Sequence, residues 1–464
     1  MKAVTIDQVC SWTAGEILQQ GNGDAVGHVT IDSRQAGAGS LFIPLKGESQ
    51  DGHAFLCHSA KNGAAASLVR AGTELPESLP ETMAVIQVKD CLEALQRLAK
   101  MYRDQFRLPV IAVTGSNGKT TTKDMIAAVL DVRFHVLKNQ GNFNNHIGLP
   151  LTLLELDGRH ESAVLEMGMS GTGEINLLSR LTRPDIAFVT NVGWAHVEKL
   201  GSREKIAAAK MEIVQGLQGN KELIINGDDP ALAAAVKKLP DDINVVSVGL
   251  SETNDIKIRD INDLNGKGFS FSTDQTGSFV FQVNHPGIHH AVSGLFAVWT
   301  GKRFGLSNEE IQCGLTLFHP SGMRMEFVEV DQCLYINDAY NANPDSMAAA
   351  IRYLGSYPAS RRIAVLGNMY ELGRYAESCH RELAAHWLEA GIDQLITVGN
   401  MAEWTGLEAL EKGASSDRVH IESDILQAVR RLKTEILPGD VILIKGSRAM
   451  EMEKIVYLMK EGDN

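Results

Sequence analysis

The 464-residue chain is poor in cysteine and in any concentrated positive charge. Its six cysteines (Cys10, Cys57, Cys91, Cys313, Cys333, Cys379) lie far apart and form no CxxC pair. That excludes a disulfide scaffold and predicts thiols kept reduced in a cytosolic protein. No Lys/Arg-rich run occurs; 44 Lys and Arg stand against 57 Asp and Glu, for a formal net charge of −13. A duplex nucleic-acid partner is therefore not expected, because such binding comes from neutralising phosphates. No stretch of about 18 apolar residues is present, so no membrane insertion is expected. Residues 1–12 (MKAVTIDQVCSW) also lack the charged-then-apolar layout of a signal peptide. Low-complexity segments, solenoid-period repeats and long polar linkers are missing too, which predicts domains joined by short connections.

What is there is ordinary globular material, 44% hydrophobic and 22% charged, and the length suits about three domains. Residues 29–34 and 40–47 read as short strands, and residues 54–64 as a helix ending at Gly63. Residues 91–106 are strongly helical, with leucines 92, 95 and 98 at helical spacing, and Pro109 closes the segment. Apolar strands then alternate with helices: 110–115, 162–168, 185–191, 221–227 and 244–250. This alternation predicts a mainly parallel sheet with ligands at the strands' carboxyl ends. Between 255 and 284 the pattern turns to strict alternation, which predicts an antiparallel hairpin. A third α/β set follows from about residue 320. The expected fold class is α/β in three domains: residues 1–90, 91–318 and 319–464.

The sharpest local feature is Thr114-Gly115-Ser116-Asn117-Gly118-Lys119-Thr120-Thr121, between a strand and a helix. The glycines let backbone N–H groups turn inward around a phosphate, and the helix N-terminus adds a favourable dipole. Lys119 can reach the β/γ-phosphates and the Thr120 hydroxyl can ligate Mg²⁺. Val113 stands where the general P-loop pattern requires glycine. Strand, loop, lysine, hydroxyl and helix nevertheless follow in order, and a nucleoside triphosphate site is expected.

Read with its neighbours, this loop resembles the TGxxGKT[ST] variant of the Mur ligase family. The resemblance continues at residues 141–150 (GNFNNHIGLP), 165–175, 190–214, 322–326, 337–347 (NDAYNANPDSM), 364–373 and 445–456. It implies a small α/β domain for a UDP-linked substrate, a central P-loop ATPase-like domain and a Rossmann-like C-terminal domain. YNANP and the ELG segment look like the branch that joins D-alanyl-D-alanine to UDP-N-acetylmuramoyl-tripeptide during peptidoglycan precursor synthesis. The implied chemistry uses ATP to convert a carboxylate, a poor electrophile, into an acyl phosphate that the amine of D-Ala-D-Ala attacks. Two Mg²⁺ ions would offset the charge clash between carboxylate and triphosphate. A monomeric enzyme is expected.

The resemblance assigns roles residue by residue. Gly115 to Thr121 hold the nucleotide phosphates. Thr120 and Glu166 are metal ligands, joined by His196 and by Lys210, whose family counterpart is N-carboxylated to a carbamate. Without the family, Lys210 reads as a surface lysine whose stem lies along the protein. Asp32, Ser33, Arg34, Lys46 and Gly47 match the segments that hold the UDP moiety, and Asp51-Gly52-His53 is also family-like. Asn142, Asn144 and Asn145 line a loop whose amides can reach phosphate or the activated carboxylate, with Asn144 catalytic. Arg324 and Asp338 approach the nucleotide, Asn341 and Asn343 serve the dipeptide, and Lys445, Ser447 and Arg448 are candidates for a carboxylate. Two departures stand out. His289-His290-Ala291-Val292-Ser293 replaces an H-N-x-x-N segment, so His290 and Ser293 stand in for two adenine-reading amides. Gly367-Asn368-Met369 replaces GDM, which should alter at most one polar contact. Competing readings are another amide ligase of the superfamily (the branch adding the third peptide residue, or a folylpolyglutamate synthase) and a nucleotide switch or UDP-sugar-binding regulator without ligase chemistry.

Overall fold

The computed structural model describes residues 1–47 and 50–461. Three main sheets organise them. The first region has a five-stranded sheet in the order Glu16–Gln19, Ala84–Val88, Ala66–Arg70, Ser40–Phe42, His28–Thr30, parallel except at the Glu16–Gln19 edge. Here the expected strands shorten. The strand predicted over 29–34 stops at Thr30, because Asp32 caps a 3₁₀ turn at Ser33–Gln35. The one predicted over 40–47 stops at Phe42, two residues before Pro44. The predicted 54–64 helix divides into a 3₁₀ turn, Gly52–Phe55, and a helix, Leu56–Lys61.

The central sheet has nine strands. From one edge they run Val136–Lys138, Ser162–Glu166, Val110–Thr114, Ile186–Val189, Glu222–Asn226, Asn244–Gly249 and Ile256–Asp263, every neighbour parallel. Phe269–Thr273 and Phe281–Val283 then complete the other edge antiparallel. The predicted hairpin is present. A second one, not expected from the alternation, pairs Ile256–Asp263 with Phe269–Thr273 through an Asn265-Gly266 turn. Val110–Thr114, Ser162–Glu166 and Ile186–Val189 are buried along their whole length, as the continuous apolar runs require of strands covered on both faces.

The third sheet has six strands in the order Glu326–Val330, Cys333–Asn337, Asp440–Lys445, Arg361–Gly367, Gln394–Val398, Val419–Glu422. Only the first pair is antiparallel. The helix Cys91–Arg103, capped by Asp90, packs on the first-region helix Ile6–Thr13 and on the central helices Gly148–Leu153 and Glu174–Thr182. Its buried Arg103 guanidinium donates to the carbonyls of Thr182 and Phe106, so this cation is satisfied without a carboxylate. Among the described residues no helix is long and apolar enough to cross a membrane.

The helix behind the phosphate loop, Lys119–Leu130, is buried against two others, Ala291–Arg303 and Asn308–Leu317. The second contact runs backbone to backbone: a Cβ at Gly314 would lie 2.4 Å from Val129 Cα. Backbone cannot swing aside as a flexible side chain does. Gly314→Ala should therefore destabilise the protein by about 1–3 kcal/mol through overpacking. Urea denaturation checks this, and an unchanged midpoint would show that the helices part without cost.

Candidate active site

Three neighbouring parallel strands end together at the carboxyl edge of the central sheet, and the phosphate loop leaves the middle one. Its glycines are required by space. A Cβ at Gly115 would sit 1.8 Å from Thr190 Oγ1, and Gly118 has a left-handed φ of 75° where it caps the helix Lys119–Leu130. Asn191, at the end of the adjacent strand, sets the loop's shape. Its carbonyl accepts from Ser116 N–H (3.0 Å) and its Oδ1 from Asn117 N–H (2.9 Å). Its Nδ2 donates to the Asn117 carbonyl at 3.1 Å, which also accepts from Thr190 Oγ1 at 2.5 Å. Lys119 folds across this frame, donating to the carbonyls of Gly115 (2.8 Å) and Ser116 (3.2 Å). Enclosure in the cleft lowers its pKa.

Beside the loop, Thr120 Oγ1 donates to Glu166 Oε2 and Asn144 Nδ2 to Glu166 Oε1, each at 2.7 Å. Glu166 is itself clamped by Asn139, whose Oδ1 accepts from its N–H and whose Nδ2 donates to its carbonyl. A hydroxyl and a carboxylate are the hard oxygen donors that Mg²⁺ takes, so this corner fits that ion. Among the described residues no cluster of three or more His, Cys, Asp or Glu is assembled that could hold a metal. His196, in a left-handed conformation (φ 63°), turns its Nδ1 to within 2.5 Å of Glu371 Oε2, off the line of a good hydrogen bond.

Lys210 is not the surface lysine that its own residue context suggested. It lies in the helix Arg203–Met211 with 1% of its surface exposed, and has no hydrogen-bond or ion-pair partner among the described residues. Burial, followed by the nearby Lys119 charge, pushes its pKa well below the ordinary lysine range. A buried amine held toward its neutral form is nucleophilic toward carbon dioxide, which is the condition a carbamate needs.

The opposite wall of the cleft comes from the third region. Arg324 stacks on the Tyr340 ring at 3.8 Å, with its Nε buried and unpartnered. Lys445 Nζ bonds Asp338 Oδ2 (2.6 Å) and the carbonyls of Asp338 and Asn341, which engages the ammonium in shaping this turn. Asn343 is engaged at both ends of its amide. Oδ1 caps the helix Pro344–Ser356, and Nδ2 donates to Asn117 Oδ1 in the phosphate loop at 2.6 Å. Asp345 Oδ2 accepts from Trp194 N–H at 3.2 Å, an approach open only because residue 193 is glycine. The cleft so enclosed has a volume of about 620 Å³.

Its lining includes Ser116 to Thr121, Asn142, Asn144, Asn145, Glu166, His196, His290, Arg324, Asp338, Asn341, Asn343 and Lys445. Asn145 also caps the helix Gly148–Leu153 through Ile147 and Gly148 N–H. Asp32, Ser33, Arg34, Lys46 and Gly47 lie elsewhere, around the first-region sheet. There Asp32 grips Arg34 in a bidentate pair that pulls its carboxyl down to about 2, Ser33 Oγ meets His58 Nδ1 at 2.9 Å, and the main chain at Lys46 pairs antiparallel with that at Asp51. Ser447 and Arg448 are outside the lining as well. Ser447 Oγ accepts from Tyr370 N–H, and Arg448 pairs with Glu453.

The structure places the residues of both departures. Ser293 lines the cleft, and its Oγ accepts from Thr122 Oγ1 at 2.9 Å, binding its helix to the one behind the phosphate loop while its own proton stays available to a further partner. His290 does line the cleft, and burial followed by the neighbouring His289 lowers its pKa well below the histidine range. Asn368 accepts from Met401 and Ala402 N–H and donates to Asn400 Oδ1 and Tyr370 Oη. Sequence reasoning missed Asn139, Asn191 and Asp345 as site residues. Asn191 had a signal, a polar residue ending an apolar strand beside the loop strand; Asp345 read as an ordinary first-turn acid.

A glycine-framed phosphate loop at the edge of a parallel sheet, faced across a cleft by a second α/β unit, defines a P-loop nucleotide-binding protein whose ligand must touch both units. Comparison with known proteins makes the class specific. Residues 25–103 match the Mur ligase family, catalytic domain, residues 113–300 the Mur ligase middle domain, and residues 323–448 the Mur ligase, glutamate ligase domain. The chain belongs to the Mur ligase family. It is 42% identical, over 97% of each chain, to UDP-N-acetylmuramoyl-tripeptide–D-alanyl-D-alanine ligase of Bacillus subtilis. Among solved structures it superposes on MurF from Acinetobacter baumannii with a TM-score of 0.89 at 29% identity, covering 99% of each chain. MurF from Thermotoga maritima in complex with ADP gives 0.81 at 28% identity, covering 94% of this chain and 97% of that one.

Asn191 offers a direct check on the loop's architecture. Asn191→Ala removes two side-chain hydrogen bonds from Asn117 and leaves the strand intact. ADP affinity measured by calorimetry should fall roughly tenfold, at about 0.5–1.5 kcal/mol per bond. An unchanged affinity would mean the loop holds its shape without this clamp.

Proposed function

We propose that this chain is the ATP-dependent ligase that joins D-alanyl-D-alanine to UDP-N-acetylmuramoyl-tripeptide in cytoplasmic peptidoglycan precursor synthesis. The observation that carries this reading is the shared cleft. The loop suited to a triphosphate lies on the central unit, and Arg324, Asp338 and Asn341 face it from the third, with full-length similarity to ligases of that name. Domain limits near residues 90 and 318 fit the three sheets.

The chemistry follows from the electrophile. An oxygen of the tripeptide carboxylate attacks the γ-phosphorus of ATP; an O–P bond forms, the β–γ bridge breaks, and ADP leaves. The amine of D-Ala-D-Ala then attacks the acyl carbon, loses a proton, and the tetrahedral adduct collapses as the C–O bond to phosphate breaks. Lys119 swings from the carbonyls of Gly115 and Ser116 to the transferring phosphoryl group, where its charge is worth most in the transition state. Asn144, oriented through Glu166, and Asn142 present amides to the reacting carboxylate, and Arg324 directs its unpartnered Nε toward the nucleotide. Thr120 and Glu166 would hold one Mg²⁺, with His196 and a carbamate on Lys210 holding a second. When bound, these ions would reduce the repulsion between carboxylate and triphosphate. Asp32, Ser33, Arg34, Lys46 and Gly47 would anchor the UDP moiety. Ser447 and Arg448 lie near enough in sequence to Lys445 to receive a dipeptide carboxylate, Arg448 first giving up Glu453. His290 would lie beside the base, with Ser293 next to it.

Phosphate release with UDP-muramoyl peptides of increasing length, with and without D-Ala-D-Ala, tests the reading. Turnover should require both the tripeptide and the dipeptide amine. Lys119→Ala should lower it by at least about a hundredfold while the protein stays folded, the scale of losing one charge-stabilising donor. Dipeptide-independent release, or near-normal turnover in folded Lys119→Ala protein, would remove it.

A further inference from the structure

The helix Pro344–Ser356 touches the central unit at both of its ends. At its start, Asn343 holds Asn117 and Asp345 accepts from Trp194 N–H. Near its other end, roughly 15 Å along the axis, the Tyr353 hydroxyl donates to the Gly266 carbonyl at 2.6 Å in a buried contact. The Tyr357 ring closes over the same glycine, where a Cβ would lie 2.9 Å from it. Gly266 is the second central residue of the Asn265-Gly266 turn. Both residues are left-handed (56° and 72°), and Lys267 N–H bonds the Leu264 carbonyl. Two-residue turns of this kind match the twist of their strands and give a fixed hairpin tip. Tyr353, Tyr357 and Gly266 all lie outside the lining of the cleft.

We propose that Tyr353 and the Asn265-Gly266 hairpin tip form a latch, outside the cleft, that sets how tightly the third unit closes on the phosphate loop. Tyr353 is a positioning residue: it acts through the helix that carries Asn343 and Asp345. The contact suits repeated opening. When the units part, water replaces the carbonyl as acceptor, so only the net of an exchanged hydrogen bond holds the latch, enough to bias closure without fixing it. Asn343 and Asp345 hold only the start of this helix, and Tyr353 adds a second point of contact near its other end.

Two amides across the seam report closure directly. Trp194 N–H bonds Asp345, and Glu198 N–H bonds the Glu371 carbonyl; both acceptors belong to the third unit and neither touches Tyr353, Asp345 lying roughly 12 Å along the helix from it. In the full-length, ligand-free protein, Tyr353→Phe should accelerate hydrogen exchange at both amides by one common factor of roughly two- to tenfold. Exchange at Ala112, inside the central sheet, should be unchanged, and ADP affinity should fall by a similar factor. Tyr357→Leu, which keeps the hydroxyl of Tyr353 but loosens its packing, should act in the same direction. Unchanged exchange at Trp194 and Glu198 in both variants would overturn the latch, as would an acceleration shared equally by Ala112. This readout does not depend on which reaction the cleft catalyses, so the latch and the ligase reading fail separately.

Discussion

The cleft depends on Asn117 being held from two units at once. Its main-chain N–H and carbonyl are gripped by Asn191, and its side-chain oxygen accepts from Asn343 of the third unit. Loop shape and closure therefore share one residue: a loop distorted from its phosphate-binding form loses its grip on the third unit, and a third unit that swings away frees the loop's side chain. Neither half of the cleft is complete without this contact. It also explains why glycine recurs along the seam. Gly193 against Asp345, Gly266 against Tyr357 and Gly373 against Glu198 are all places where a Cβ would meet the opposite unit within about 3 Å.

Electrostatics gives the cleft its appetite for anions despite a chain charge of −13. Lys119 bonds only carbonyls, Lys210 has no partner among the described residues, and Arg324 keeps a buried Nε unpartnered. Two cations, Lys119 and Arg324, thus face the cleft without matching carboxylates, apart from Glu166, whose oxygens are already engaged by Thr120 and Asn144, while the buried Lys210 amine is held toward its neutral form. Burying charge in this way disfavours the ligand-free fold locally. A polyphosphate, with its metal, supplies the missing negative charge. The stabilisation withheld from the empty cleft becomes binding energy for the nucleotide.

Much of this was legible beforehand. Continuous apolar runs ending in polar residues gave the parallel strands, and the order strand–glycine loop–lysine–hydroxyl–helix gave the phosphate site, because local sterics and dipoles dictate both. Position along the chain could not reveal which amides would be committed. Asn343 and Lys445 carry suitable chemistry for ligands, yet tertiary packing engages each with protein partners. Lys210 shows the converse error: its helix reads as amphipathic with an exposed lysine, and only the packing of that helix under the cleft shows the amine buried. Asn139 and Asn191 were missed because a single asparagine beside a strand has no periodic signature; their importance lies in contacts made 27 and 74 residues away.

The proposed reaction requires one closed cleft to bring a carboxylate to the γ-phosphoryl group and then an amine to the same carbon. Tracing oxygen from the tripeptide tests it most directly. With the C-terminal carboxylate labelled with ¹⁸O, D-Ala-D-Ala and ATP present, one labelled oxygen should appear in the released phosphate for each amide bond formed. Phosphate that carries only solvent or ATP oxygen, while ADP still accumulates, would mean that the carboxylate is never phosphorylated and that the cleft hydrolyses ATP for some other end.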